Sequence, residues 1–214
     1  LSPSTASCTP GGPTEDPTGG FDDGGWVFKL WDDEVGEAVG SLFSGEYELL
    51  LGRRTYDIFA AFWPYVQGED AVMGEAFTRA GKHVLTHGNQ PLEWANRHRL
   101  RSIDDVASLK RSDGPDLIIQ GSGTIYPGVI AAGLLDRLTL MIFPLTLGNG
   151  KRLLGSDTPA GRLRMIDHKI TATGVVIATY ELCGALPPYP PEVPVPSTSA
   201  SEEERQRRIV AGTW

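Results

Sequence analysis

The sequence predicts one α/β domain, with a mainly parallel sheet flanked by helices and finished by an antiparallel hairpin. Three observations predict it. A short apolar run, Leu49–Leu51, stops at Gly52 and leads into a helix-forming stretch, with Thr55 at the expected N-cap and Tyr56 to Phe62 following. The same grammar returns in Asp116-Leu-Ile-Ile-Gln-Gly-Ser-Gly-Thr-Ile-Tyr126: an apolar strand, a glycine turn, then a helix start near Thr124. Near the end, two strand-like runs, 164–171 and 175–182, flank Ala172-Thr173-Gly174, a hairpin connection. A chain of 214 residues can bury one substantial core.

Taken in order, residues 1–25 are rich in Pro, Gly, Ser and Thr and read as loop. They run into Trp26, Phe28 and Trp31, which either pack into the core or wall a pocket for a flat ligand. A helix is expected from Asp32 to Ser44. Asp32 caps it, Asp33 and Glu34 favour its positive end, and Val35, Ala38, Val39 and Leu42 share a face. After the first glycine unit come Trp63-Pro64, a helix over about 70–80 and a strand over 82–86, with Thr86 and His87 at its carboxyl end. Ser102 and Asp105 have the spacing of a capping box. A strand is expected over 137–143, and a glycine-punctuated loop over 147–155 carries Lys151 and Arg152, which either reach a substrate phosphate or are solvated.

Both glycine units end a strand and open a helix. Free N–H groups and the positive end of the helix dipole suit an anion there, and Arg53 and Arg54 add two guanidinium forks. One such turn is weak evidence. Two point to a dinucleotide lying across the carboxyl edge of a parallel sheet. The spacing is not the dinucleotide fingerprint, because its third glycine is absent.

These residues carry a resemblance. Leu51-Gly52-Arg53-Arg54-Thr55-Tyr56 and Gly121-Ser122-Gly123-Thr124-Ile125-Tyr126 resemble the two glycine segments of the dihydrofolate reductase fold. Phe143-Pro144 with Leu147 to Gly155, and Pro10-Gly-Gly-Pro13 to Gly25-Trp26, are similar to the branch containing the reductase domain of riboflavin biosynthesis, the RibD C-terminal domain. The resemblance covers roughly residues 1–182. It implies a dihydrofolate reductase-like fold and an NADPH-dependent oxidoreductase that moves hydride to a C=N or C=O group of a small metabolite. It implies that Gly52, Arg53, Arg54, Thr55, Thr86 and His87 hold cofactor phosphates. Gly121, Ser122, Gly123 and Thr124 would face the pyrophosphate and nicotinamide. Trp26, Phe28, Trp31 and Asp33 would form the substrate pocket. In the folate reductases an acid on the first helix assists proton transfer, but an ungapped count from Gly52 places it near Gly36. Asp33 or Glu37 could substitute, although both also read as helix surface. An alternative is therefore a nucleotide-binding protein of this fold without turnover. A structural module with empty glycine turns is a third reading.

The tail has its own signal. Residues 184–207 read as a Pro/Ser/Glu-rich linker, yet Arg208-Ile-Val-Ala-Gly-Thr-Trp214 is strand-like. The resembling family opens with a central strand leading into the Pro-Gly-Gly-Pro loop. Residues 208–214 are expected to supply it, completing the reductase domain of residues 1–183 by circular permutation and placing Ala211 against the cofactor. A strand swap, a truncated second copy and a disordered tail are the alternatives. Ser2-Pro3-Ser4-Thr5 then stands where the family carries Ser-Leu-Asp-Gly, with Ser4 in place of the acid.

Composition narrows the partners. A formal net charge of -8 argues against nucleic acid. No run of about 18 apolar residues suggests a membrane span. Cys8 and Cys183 make neither a disulfide framework nor a metal set, so no metal and a cytoplasmic location are expected. The expected partner is a small-molecule substrate, with a homodimer as the assembly to test.

Overall fold

A computed structural model describes residues 4–6, 24–147, 153–154, 157–192 and 199–213. Lys151, Arg152, Cys8, the Pro10–Pro13 segment and Trp214 lie outside them.

The strands form two four-stranded sheets, which make up the two halves of the molecule, and the first is parallel throughout. Its strands are β2 (Tyr47–Gly52), β3 (Lys82–Leu85), β4 (Arg97–Leu100) and β5 (Asp116–Ile118), in the order β4-β3-β2-β5. The second half contains β1 (Ser4–Ala6), β6 (Arg137–Ile142), β7 (Leu163–Ile170) and β8 (Val176–Leu182), in the order β1-β6-β8-β7. β1 runs parallel to β6, and β8 is antiparallel to both its neighbours. β1 also lies against β5, so the two halves meet there.

Helices cover both faces of the parallel half, which is why β2 is apolar without alternation. Leu49 and Leu51 pack with Tyr56 and Phe59 of α2 (Arg53–Phe62) and Phe77 of α3 (Ala71–Arg79). Leu50, on the other face, packs with Val106 of α4 (Ile103–Arg111) and Tyr126 and Val129 of α5 (Tyr126–Ala131). Phe77 gathers the aromatics of the first face. Phe43, Phe59 and Trp63 have ring centroids 4.9, 5.8 and 4.8 Å from it.

α1 (Asp33–Leu42) bridges to the antiparallel half. Its Val35 is buried against Val175 and Ile177. Asp32 caps it as expected, accepting from the Val35 N–H at 2.9 Å. The Ser102–Asp105 capping box is also present.

The tail departs from expectation. Residues 208–213 do not supply the expected strand: Ala200–Val210 is a helix, α6, and it also takes in part of the expected linker. The strand beside β6 is β1, within the segment read as loop, so the topology needs no permutation. The local physics explains the helix. Ser199 accepts from the Glu202 N–H at 3.2 Å, and ion pairs Glu202–Arg205 and Glu204–Arg207 brace the first turns. With the helix nucleated, extending it through Ile209 and Val210 costs little, despite their strand preference. Ala211 is the exposed C-cap of α6 rather than a strand residue facing a cofactor.

Candidate functional site

The two glycine units are bolted together. Gly52 ends β2 and is the N-cap of α2, so the cap sits three residues before the expected Thr55. The Gly52 N–H donates to Ser122 Oγ at 2.9 Å, and the Ser122 N–H donates to Thr55 Oγ1 at 3.0 Å. Ser122 Oγ in turn donates to the Gln120 carbonyl at 3.3 Å. Thr55 is only 6 % exposed, so its hydroxyl braces the second turn from inside the first.

This bracing holds an unfavourable backbone. Gly121 has φ 61° and Ser122 has φ 51°. A non-glycine residue in the left-handed region costs about 1 kcal/mol or more. The hydrogen bonds to Gly52 and Thr55 fix Ser122 in that state. Gly123 and Thr124 face outward, and a Cβ on Gly123 would meet nothing within 4 Å. The outer side of the turn is therefore open to a ligand.

Loop 86–90, at the carboxyl end of β3, carries the second feature. Thr86 donates its N–H to the Leu100 carbonyl at 3.0 Å, and its hydroxyl accepts from the Gly88 N–H at 3.1 Å. Three arginines converge on its backbone. Arg53 binds Asp57 through Nε at 2.8 Å and the Gln90 carbonyl through Nη1 at 2.9 Å. Arg99 donates to the carbonyls of Gly88 and Gln90, both at 2.5 Å. Arg101 donates to the carbonyls of His87 at 3.1 Å and Gly88 at 2.8 Å, and to Asn89 Oδ1 at 2.6 Å. Arg54, next on α2, is exposed.

Arg99 and Arg101 are the residues that the sequence reading missed. They belong to β4 and its carboxyl end, and Arg97-His-Arg-Leu100 has no apolar alternation to mark a strand. Pairing of Val84 with Arg99 brings them to the loop. A positive cluster on a chain of net charge -8 is the signal that could have found it.

The aromatic wall divides. Trp26 packs edge-on against Phe143, with centroids 5.3 Å apart, at the end of β6. Phe28 is 61 % exposed and leans on Trp31, with centroids 5.7 Å apart. Trp31 Nε1 lies 3.5 Å from where a Cβ on Gly36 would stand. Asp33 and Glu37 are exposed on α1. Neither is drawn into a contact with the glycine turns among the described residues.

Asp32 is the carboxylate that α1 holds fast. One oxygen caps the helix, and the other accepts from the Thr173 hydroxyl at 2.8 Å and its N–H at 3.2 Å. Desolvation pushes its pKa up, but the hydrogen bonds from Val35, Thr173 and Thr171 outweigh it and lower the pKa to about 2. Such a group stays ionised at neutral pH and serves as an anchor rather than an acid. Among the described residues no group of His, Cys, Asp or Glu side chains could hold a metal.

Two surface clefts, of about 440 and 520 Å³, lie along the outer flanks of α2 and α3. Neither is lined by residues 121–124, so the interlocked turns define the candidate site instead. No helix among the described residues is long and apolar enough to cross a membrane.

A parallel sheet with two glycine turns at its strand ends, continued by an antiparallel hairpin, defines a protein of the dihydrofolate reductase-like class. Within that class, the chain belongs to the RibD C-terminal domain family, whose pattern it matches over residues 19–179. A curated relative, the uncharacterized protein YyaP of Bacillus subtilis (strain 168), is 25% identical over 139 residues, covering 64% of this chain and 74% of the relative. Among solved structures, a putative riboflavin biosynthesis protein from Shewanella sp. PV-4 aligns with TM-score 0.57 and 19% identity, over 73% of this chain and 86% of that one. A pyrimidine reductase-like protein from Corynebacterium diphtheriae aligns with TM-score 0.50 and 13% identity, over 84% and 89% of the two chains. These two show that the fold is shared.

Proposed function

We propose that this protein is an NADPH-dependent reductase that transfers hydride to a C=N or C=O group of a small metabolite. The observation that carries the proposal is the interlock of Gly52, Thr55 and Ser122. It places the N-terminus of α2 beside an open turn, Gly121–Thr124, at the ends of neighbouring strands. Family membership supports the chemistry.

The residues fit the cofactor. The start of α2 offers N–H groups and a positive dipole end to phosphate. Gly123 leaves room for close approach to the second turn. Arg53, Arg99 and Arg101 around loop 86–90 suit the additional phosphate that distinguishes NADPH from NADH. When bound, NADPH supplies the hydride, and the protein supplies binding, orientation and electrostatics. Trp26 and Phe143, half-buried and packed edge to face, offer apolar ring surface to a ring-containing substrate.

Titration calorimetry tests the reading. The wild type should bind NADPH more tightly than NADH. Arg53→Ala should weaken NADPH by about tenfold while changing NADH much less, as expected for loss of one charge-assisted contact. No NADPH binding would sink the proposal, and unchanged affinity in Arg53→Ala would remove that arginine from the phosphate site.

The second reading is a nucleotide-binding protein without turnover. One observation favours it: Asp32 is held ionised, and Gly36 stands at the position expected for an acid. Oxidation of bound NADPH across a panel of imines and ketones separates the two readings.

A further inference from the structure

Gln120 sits immediately before the Gly121–Thr124 turn, and its side-chain oxygen is an orphan. Gln120 Oε1 is shut off from solvent and has no hydrogen-bond partner among the described residues. Leaving a buried acceptor unpaired costs about 1–3 kcal/mol. Such an atom calls for a partner, and the described residues provide none.

Its place in the fold says which partner. Ile118 packs on the α2–α3 face of the sheet, and Ile119 packs on the opposite face with α4 and α5. Strand alternation carried one residue further turns Gln120 back to the α2 face, at the carboxyl end of β5. The main chain there is fixed, because the Gln120 carbonyl accepts from Ser122 Oγ and Ser122 is bolted to Gly52 and Thr55. The residue as a whole is only half-buried, and its terminal torsion is soft, so a change of rotamer can present the oxygen to a ligand at the strand end. A glutamine amide oxygen accepts hydrogen bonds and donates none. Its ligand must therefore present a donor, an N–H or an O–H.

We propose that Gln120 Oε1 accepts a hydrogen bond from the carboxamide N–H of the nicotinamide, making Gln120 a positioning residue for the ring that carries the hydride. This rests on the NADPH reading above and adds a side chain to it. The oxygen fixes the rotation of the carboxamide, and through it the tilt of the ring. The adenosine half of the cofactor, held near loop 86–90, does not touch it.

The test compares three probes by calorimetry on the full chain: NADPH, its 3-acetylpyridine analogue, which lacks the carboxamide N–H, and 2′-phospho-ADP-ribose, which lacks the ring. The wild type should prefer NADPH over the acetyl analogue by about tenfold. Gln120→Leu should abolish that preference and leave 2′-phospho-ADP-ribose binding unchanged. Gln120→Glu, which keeps an acceptor, should retain the preference. Thermal melting provides a second readout. Gln120→Leu should melt at the same or a higher temperature, because it removes an unpaired polar atom. A Gln120→Leu protein that melts lower and still prefers NADPH would make the residue merely structural and overturn the inference. Wild-type protein that binds NADPH but does not distinguish the acetyl analogue would overturn it while leaving the reductase reading intact. Wild-type protein that binds no NADPH overturns both.

Discussion

β2 and β7 are the two extremes of this molecule. In β2 the residues Leu49 to Gly52 are all buried, with helices on both faces. In β7 every residue from Leu163 to Ile170 is exposed, and the strand lies at the edge of its sheet. The difference shows how the fold divides its labour. The parallel half supplies the packing that positions Gly52 and Gly121. The hairpin supplies a scaffold that anchors the first helix. Thr173 binds Asp32, the Ala172 N–H donates to Glu34 at 2.9 Å, and Lys169 pairs with Glu34 at 2.9 Å.

The contrast can be broken most sharply by truncation. Leu50→Ala should cost about 2–5 kcal/mol, because it opens a cavity between β2, α4 and α5. Ile166→Ala, at the irregularity in β7 pairing, should stay near 0.5 kcal/mol. Urea unfolding measures both, and comparable losses would mean that β7 is covered in solution.

Titration sharpens the same contrast on the alkaline side. Lys82 begins β3 fully buried, donates to the carbonyls of Thr78 at 2.6 Å and Ala80 at 2.8 Å, and lies over the Trp94 ring. Desolvation lowers its pKa from 10.5 to about 8. The unfolded chain then holds more protons than the native state between about 8 and 10.5, so stability should rise with pH across that window. Lys82→Met should flatten the rise and cost about 1–2 kcal/mol from the Ala80 carbonyl left unpaired, since the Thr78 carbonyl keeps the Asn96 amide. A wild-type melting temperature that is flat over this range would contradict it.

The smallest effect belongs to the hairpin side. Asp32 has a pKa depressed from 3.8 to about 2, so its contribution is present above pH 4 and lost as pH falls through 2. Asp32→Asn should lessen the acid-side loss between those values, read as melting temperature against pH. If wild type and variant run parallel there, Asp32 does not couple α1 to the hairpin in solution.

Much of the architecture was legible because its signals are local. The Asp32 cap, the Ser102–Asp105 box and the turn at Gly174 (φ 83°) each depend on a few adjacent residues. β4 was not legible, since a polar edge strand carries no buried face to reveal it. Thr55 was expected to cap α2, where Gly52 does so, and its bond to Ser122, 67 positions away, was not legible.

Taken alone, the sequence determined the two strand–glycine–helix units and the closing hairpin, together with a net charge of -8. Those follow from periodicity, capping and composition, which act over a turn or two of chain. Only the tertiary structure decided that β1 lies beside β6 and that three arginines meet on one loop. Parallel pairing joins segments far apart in sequence, and no local pattern records which edge a strand will find.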